Sequence, residues 1–280
     1  MVTRRTTQRQ FLLAPSAWLE QLFLYCLAVA TANTGVAVHS LTVMSNHYHL
    51  IVTDPLGRLP EMCNWLHEFV AKAANARLGR WENFWSSDPP SYVRLMGPDD
   101  VLAKTVYALA NPVAAGLVSH GEQWPGIRLF TPGRRRIVRP EGFFRESGPT
   151  PKVATLNITA PPLGMSSHQA YRTVLEALAA EEARVRESFR ANGRQFLGAR
   201  RVLAQRPDES PRSLEPRRKL SPTIACRNKW LRIETLQRCK EFVVAYRDAL
   251  RRWVLRAKDV VFPPGTYAMT RRFGVLVAPS

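Results

Sequence analysis

The fold is decided by a stretch that has the pattern of a β-hairpin: Val36-Ala37-Val38-His39-Ser40-Leu41-Thr42-Val43, a break at Met44-Ser45-Asn46, then His47-Tyr48-His49-Leu50-Ile51-Val52. Both runs are rich in β-branched residues, and the break between them is short and mostly polar. This combination is typical of two adjacent antiparallel strands. The hairpin therefore predicts the centre of a sheet, and the elements on either side of it predict how that sheet is completed.

The segments that flank the hairpin have helical and extended patterns. A candidate strand at 2–13 precedes a helix that starts near Pro15-Ser16 and stops at Asn33-Thr34-Gly35. Downstream, 59–78 has apolar residues at helical spacing, Phe84-Trp85 and 92–95 are short extended pieces, and 101–110 is a further helix ended by Asn111-Pro112. The order β-α-β-β-α-β plus a helix predicts an α+β fold. We expect a ferredoxin-like antiparallel sheet with helices on one face and the other face free.

The charge of the chain is concentrated in its second part. The formal net charge is +18; residues 1–121 carry 9 Lys and Arg against 8 Asp and Glu, and 122–280 carry 31 against 14. A polyanion is the natural partner of such a chain. The longest apolar run, 22–32, is shorter than the roughly 20 residues of a membrane span, so nucleic acid is favoured over a membrane.

The charge asymmetry suggests three regions. Residues 1–125 hold the predicted α+β domain, and 126–165 form a basic, Pro-rich linker. Residues 166–280 form a mostly α-helical basic C-terminal region, with helical patterns at 167–190 and 229–258 separated by a polar, Pro-rich loop at 206–219. The four cysteines form no C-x-x-C pair, which argues against a zinc finger and favours a reducing cytoplasm.

Two groups of residues could carry chemistry. In a strand, His47 and His49 point to the same face, so their imidazoles could share one divalent ion. Taken alone, the pattern is more typical of two polar surface residues on a sheet. Tyr107 and Asn111 are four residues apart on one face of the third helix, where a tyrosine is more often a core or rim residue than a nucleophile.

Together the two groups resemble a known family. The string Val43-Met44-Ser45-Asn46-His47-Tyr48-His49-Leu50-Ile51-Val52 resembles the metal-binding strand of the HUH single-strand transposases. The string Tyr107-Ala108-Leu109-Ala110-Asn111-Pro112-Val113-Ala114-Ala115-Gly116-Leu117-Val118 resembles the tyrosine helix of the REP-associated tyrosine transposases, and Phe84-Trp85 matches a pair upstream of it. The resemblance covers 1–125. Pieces of the extension also resemble a longer subgroup of these proteins: Phe196-Leu197-Gly198, 220–226 and 262–267.

The resemblance implies a function and a role for each residue. His47 and His49 would bind Mg²⁺ or Mn²⁺, Asn111 would be a third ligand where relatives often have Gln, and Tyr107 would be the nucleophile. The expected activity is cleavage and rejoining of single-stranded DNA through a covalent 5′-phosphotyrosine, at palindromic repeats that form hairpins. Tyr48, which alternates with the histidines, is expected to pack in the core.

The expected partner is single-stranded or hairpin DNA, in a cytoplasmic, nucleoid-associated monomer or homodimer. The cationic and aromatic candidates for contacts with it are Arg4, Arg5, Arg77, Arg80, Trp81, Arg94, Arg134, Arg135 and Arg136. Each of these is also explained by a solvated surface. Two alternatives stay open: a non-catalytic, domesticated DNA-binding protein that kept the fold, and an RNA-binding ferredoxin-like module, which would expose aromatic residues on its central strands.

Overall fold

The computed structural model describes residues 1–143, 150–213 and 222–279. Its helices are α1 (Ala17–Thr34), α2 (Leu59–Leu78), α3 (Pro98–Ala114), α4 (Ser167–Ala191), α5 (Ala199–Leu203), α6 (Lys229–Val254) and α7 (Tyr267–Phe273). Its strands are β1 (Val2–Arg5), β2 (Ala37–Met44), β3 (His47–Thr53), β4 (Ser91–Tyr92), β5 (Arg94–Leu95), β6 (Arg128–Leu129), β7 (Gly133–Val138), β8 (Val153–Ile158), β9 (Ile224–Ala225), β10 (Val261–Phe262) and β11 (Leu276–Val277). The chain is thus α+β.

Seven strands form one mixed sheet around the predicted hairpin. Its order is β4-β1-β3-β2-β8-β7, with β6 also paired to β2. The pairs β1–β4, β1–β3, β2–β3 and β7–β8 are antiparallel, whereas β2 and β8 are parallel. The hairpin β2–β3 is confirmed and lies inside the sheet. Seven of the eight residues of β2 are buried, so both faces of this strand are covered.

One face of the sheet is covered by α1 and α2. Ser16 caps α1, since its side chain accepts a hydrogen bond from the Leu19 amide, and Gly35 ends the helix in a left-handed conformation. Tyr48 is fully buried on this face: its ring packs edge-on against Phe23 of α1, and its hydroxyl is hydrogen-bonded to His67 Nε2 of α2 at 2.6 Å. The prediction that Tyr48 lies in the core is confirmed.

The opposite face is covered by α3, so the prediction of a free sheet face is wrong. Successive residues of a strand point to opposite faces, and His49, next to Tyr48, is hydrogen-bonded to Asn111 of α3. Tyr107 of α3 packs against the same histidine ring, and Val113 shares a buried cluster with Met44 of β2. These contacts close the second face of the sheet, and the apolar side of α3 formed by Val106, Leu109 and Ala110 packs elsewhere, in a cluster with residues of α4.

Helix α3 also runs past the predicted end at Asn111-Pro112. It continues to Ala114, with Pro112 inside, and Gly116 follows in a left-handed conformation. A proline inside a helix disturbs the preceding turn. Here Arg128 Nε donates a hydrogen bond to the carbonyl of Leu109 in that turn, at 2.9 Å. Asn111 is therefore an interior helix residue, not the C-cap.

The stretch 126–165, predicted as a linker, supplies three strands, β6, β7 and β8, to the main sheet. Ala154, Leu156 and Ile158 of β8 belong to the same buried cluster as α1 and the hairpin. The Arg134-Arg135-Arg136 run and the scattered prolines of this stretch hid the alternating apolar pattern of β8. The sequence-based boundaries at 125 and 165 thus fall within segments that pack on the first domain.

Two further predictions needed correction at the N-terminal side. The first strand ends at Arg5 rather than near Leu13, because Gln8 and Arg9 adopt left-handed conformations that break the extended chain. The extended piece 92–95 is divided: β4 pairs with β1, and β5 pairs with β9 of the C-terminal region. Of the predicted loop 206–219 and the resembling piece 220–226, residues 214–221 lie outside the described part.

The C-terminal helices begin as predicted, and α4 lies directly on α3. Ala170, Val174 and Leu178 of α4 are buried against Val101, Val106, Leu109 and Ala110 of α3. Beside this contact, the Arg128 guanidinium and the Glu182 carboxylate form a nearly buried ion pair at 2.8 Å, with side chains 12 % and 11 % exposed. The other Glu182 oxygen accepts a hydrogen bond from the Gly121 amide.

None of the helices within the described ranges is both long and apolar enough to cross a membrane. The most apolar of them, α1, buries ten of its residues against the sheet and α2, and this burial accounts for its composition.

The ion pair generates a stability prediction. Glu182→Ala leaves the Arg128 charge buried without its carboxylate, and breaking such a pair costs about 3–5 kcal/mol. The neighbouring Glu181→Ala removes only an exposed pair with Arg184 and is expected to cost less than about 1 kcal/mol. Urea unfolding of the two variants measures the difference. Equal losses would show that Glu182 is not a structural anchor.

Candidate functional site

The site is built on β1 and β3, which are neighbours in the sheet. Their antiparallel register places Thr3 opposite His49 and Arg5 opposite His47. Cross-strand partners lie on the same face, so these four side chains share the surface below α3. The two imidazole rings are 4.9 Å apart between centroids, at an interplanar angle of 86°.

The tautomer of His47 is fixed by its neighbour. Asn46 Nδ2 donates to the carbonyl of Arg9 at 3.2 Å, which leaves Asn46 Oδ1 facing His47 Nδ1 at 2.7 Å. An amide oxygen only accepts, so the proton is on Nδ1 of His47. Its Nε2 then carries the free lone pair, which is the form of imidazole that binds a metal ion.

His49 is fixed in the same tautomer by partners on two sides. Asn111 Nδ2 lies 3.0 Å from His49 Nε2, and an amide nitrogen only donates, so Nε2 accepts. In a neutral ring the proton is then on Nδ1, which donates to Thr3 Oγ1 at 2.9 Å. Such a hydrogen bond on the far nitrogen orients metal-binding histidines and raises their basicity toward the ion.

Both histidines are held neutral by their surroundings. Burial lowers the pKa of His47 to about 4, assisted by the positive charges of Arg5 and Arg9. Burial also lowers the pKa of His49 well below its ordinary value, and His47, Arg5 and Lys104 add to the effect. A protonated imidazole cannot coordinate a cation, so at neutral pH both rings are in the binding form.

Helix α3 supplies the rest of the site from one stripe, Lys104, Tyr107 and Asn111, at spacings of three and four residues. The Tyr107 ring packs edge-on against His49 of the same chain, with centroids 5.4 Å apart, and its side chain is 49 % exposed. The Tyr107 ring thus contacts the histidine on one side and is open to solvent on the other. The structure brings His47, His49, Tyr107 and Asn111 together, as the resemblance implied.

Thr3 and Lys104 were missed by the sequence analysis. Lys104 Nζ lies 5.3 Å from the centroid of the Tyr107 ring, a cation–π contact. Its spacing of three residues before Tyr107 is visible in the sequence and could have identified it. Thr3 depends on the register of β1 against β3, which no local pattern contains.

The donor set suits a loosely held divalent ion. Within the described residues, no group of three or more His, Cys, Asp and Glu could hold a metal ion. Two neutral imidazoles and the Asn111 amide are the available donors, and Asn111 would offer its oxygen after turning its amide away from His49. Such a set leaves coordination positions for water and phosphate, as a catalytic ion requires.

The predicted DNA contacts do not form one surface. Arg5 lies beside His47, whereas Arg4 points to the other face, where its guanidinium lies 5.3 Å from the centroid of the buried Trp85 ring. Arg77 stacks on Trp18 of α1, and Trp81, 98 % exposed, follows α2 with Arg80. Arg94 is on β5, and Arg134, Arg135 and Arg136 are exposed on β7.

The hydrogen bond from His49 to Thr3 generates a metal-binding prediction. Thr3→Val is expected to weaken Mn²⁺ binding about 10-fold to 100-fold, because it removes the acceptor that orients His49. Thr42→Val is the matched control: Thr42 also pairs with His49 across the sheet, but its buried hydroxyl has no hydrogen-bond partner among the described residues. Titration of free Mn²⁺ by electron paramagnetic resonance measures both. Equal affinities would exclude this role for Thr3.

Comparison with known proteins adds no assignment to this geometry. No family model matches the chain, and no curated protein or solved structure matches it. The function of the site is therefore argued from its own residues, their contacts and the two motifs that carry them.

Proposed function

We propose that this protein is a metal-dependent single-strand DNA endonuclease and strand transferase of the HUH tyrosine transposase type, related to the REP-associated tyrosine transposases. The observation that carries the proposal is the contact of an exposed tyrosine, Tyr107, with one of two neutral, oriented histidines in the same chain. This contact joins two sequence motifs that are about 60 residues apart. If the histidines were only polar surface residues, or the tyrosine only a core residue, nothing would require them to lie side by side.

The proposed chemistry follows from the roles of these side chains. The Tyr107 oxygen attacks a phosphodiester phosphorus, the new O–P bond replaces the bond to the 3′ oxygen, and that oxygen leaves with a proton as a free 3′-OH. The phosphotyrosine keeps the energy of the broken ester, so a 3′-OH that attacks it rejoins a strand without a nucleotide cofactor. Mg²⁺ or Mn²⁺, bound by His47 and His49 and by Asn111 Oδ1, would neutralise a non-bridging phosphate oxygen.

Lys104 and Arg5 supply positive charge where the reaction needs it. Lys104 lies over the Tyr107 ring and lowers the pKa of His49 by its charge, so its ammonium group is close to both. In that position it favours the negative charge that develops on the phenol oxygen during attack. Arg5, opposite His47 in the sheet, is placed to contact the phosphate that follows or precedes the reacting one.

The fold and the charge support the same proposal. The antiparallel order β4-β1-β3-β2, with α1 and α2 packed together on one face, supports a ferredoxin-like arrangement for the first domain. The net charge of +18 supports a nucleic-acid partner. The structure places Tyr107 beside His49 without a second chain, which supports a site that is complete in a monomer.

A covalent adduct is the direct test. Wild type, Mn²⁺ and a 3′-labelled hairpin with single-stranded flanks are expected to yield a labelled protein–DNA adduct that survives denaturing electrophoresis, because the phosphotyrosine keeps the 3′ part of the strand. Tyr107→Phe is expected to abolish it, because phenylalanine has no oxygen to attack the phosphorus. Tyr267→Phe, at a similarly exposed tyrosine of α7, is the matched control and should behave as wild type.

Two results would contradict the proposal. One is an adduct that persists in Tyr107→Phe. The other is tight, salt-sensitive DNA binding by wild type with no adduct on any hairpin-bearing strand, which is the behaviour of the alternative, a non-catalytic DNA-binding protein.

Lys104 has a test of its own. Lys104→Met keeps the length of the side chain and removes the charge, and is expected to slow adduct formation on saturating DNA about 10-fold. Lys104→Arg should restore most of the rate, and Mn²⁺ affinity should not fall in either variant. A change confined to DNA affinity, with the saturated rate unchanged, would assign Lys104 to substrate binding instead.

A further inference from the structure

The strands β7 and β8 form a two-stranded ribbon with one exposed face. Their register pairs Arg134 with Asn157, Arg136 with Thr155 and Val138 with Val153. Ala154, Leu156 and Ile158, which alternate with these residues on β8, are buried. Arg134, Arg136, Thr155 and Asn157 are exposed, and therefore share the outward face of the ribbon, whereas Arg135 points to the other side.

This outward face looks to the same side of the sheet as the candidate site. The buried residues of β8 belong to one core cluster with Leu41, Tyr48 and Leu50 of the hairpin, on the side of α1. Residues that alternate with that cluster lie on the other side: His47 and His49 on β3, and Thr155 and Asn157 on β8. No described strand covers the outer edge of β7.

The distance between the ribbon and the candidate site matches the length of a short DNA duplex. The ribbon joins the sheet where Ile158 pairs with Val38, and Thr42, four residues further along β2, pairs with His49. Thr155 lies three residues from Ile158 in the opposite direction. At about 3.3 Å per residue, the centre of the ribbon is roughly 23 Å from His49 along the strands. That length corresponds to about seven base pairs of DNA at 3.4 Å each.

The chemistry of the face fits the same partner. Arg134 and Arg136 form no ion pair with any residue of the described ranges, so both guanidinium groups are available to an anion. Each has a hydrogen-bonding side chain opposite it, Asn157 or Thr155. The major groove of DNA admits a two-stranded β-ribbon, and Arg and Asn side chains pair well with base edges there.

We propose that the outward face of the β7–β8 ribbon binds the duplex stem of the DNA on which Tyr107 acts. This proposal rests on the proposed function in taking DNA as the partner, but it concerns a surface separate from the catalytic residues. Two parts of one DNA molecule are then bound at two places: the duplex stem lies on the ribbon, and the unpaired strand at the end of the stem reaches the site.

The test is a binding measurement in the Tyr107→Phe background, which holds the DNA without cleaving it. One labelled probe is a DNA hairpin with a stem of about 12 base pairs, slightly more than one turn of the duplex, and a single-stranded tail. The second probe is the tail alone. Fluorescence anisotropy gives the affinity of each probe at several salt concentrations.

Arg134→Gln and Arg136→Gln are each expected to weaken binding of the hairpin about 5-fold to 10-fold. Each is also expected to lower the slope of log affinity against log salt concentration by about one, which corresponds to the loss of one phosphate contact. Binding of the tail alone should change less than 2-fold. Arg135→Gln is the matched control, since it removes the same charge from the same strand on the opposite face. It should leave the preference for the hairpin unchanged.

Two results would overturn the proposal. If Arg135→Gln weakens hairpin binding as much as the other two variants, only the overall charge matters and the outward face has no role. If Arg134→Gln and Arg136→Gln weaken both probes equally, the ribbon holds single-stranded DNA. Because no cleavage is measured, a loss of stem binding in these variants supports the ribbon even if wild type forms no covalent adduct.

Discussion

The contact between Asn111 and His49 is the interaction on which the rest of the site depends. It joins α3 to the middle of the sheet at 3.0 Å and fixes the tautomer of His49. The same face of the helix places Tyr107 against the His49 ring and Lys104 over the Tyr107 ring. A rotation of α3 by one residue, about 100°, would carry the tyrosine away from the histidines. Because the helix covers a face of the sheet that would otherwise be exposed, the burial that stabilises the fold also assembles the site.

The C-terminal region contacts α3 and the residues that follow it. The ion pair of Arg128 with Glu182 lies at the turn that Pro112 disturbs, and Arg128 also bonds to the carbonyl of Leu109 in that turn. The end of the tyrosine motif is held as well: the carbonyls of Gly116 and Leu117 accept hydrogen bonds from Leu197 and Gly198, and a Cβ on Gly116 would lie 2.9 Å from the Phe189 ring. One of the pieces of the extension that resemble a longer subgroup, Phe196-Leu197-Gly198, thus contacts the end of the tyrosine motif. The charge distribution suggested a nearly neutral first domain and a separate basic C-terminal region. These contacts show that the C-terminal region is packed on the first domain.

Much of this arrangement could be predicted from local patterns. The hairpin, α1, α2 and α4 follow from periodicity and from end signals such as Ser16, Gly35 and Gly79, and the two motifs named His47, His49, Tyr107 and Asn111. What could not be predicted depends on register and on long-range packing. Thr3 meets His49 only through strand pairing, α3 covers a face that its own sequence does not specify, and β8 was concealed by the arginines and prolines around it. The hydrogen bond that Arg128 donates to α3 at Leu109, in the turn before Pro112, joins residues that are 19 positions apart in the sequence.

We propose that one chain forms a complete site from two histidines of β3 and the stripe of Lys104, Tyr107 and Asn111 on α3. A crystal structure of Tyr107→Phe with Mn²⁺ and an uncleaved DNA strand, with anomalous scattering to locate the ion, would show whether it does. We expect one manganese peak bonded to the Nε2 atoms of His47 and His49, with a DNA phosphate bound to it and the ring of residue 107 of the same chain beside that phosphate. Manganese bound elsewhere, or a phosphate approached only by residue 107 of a second chain, would contradict it.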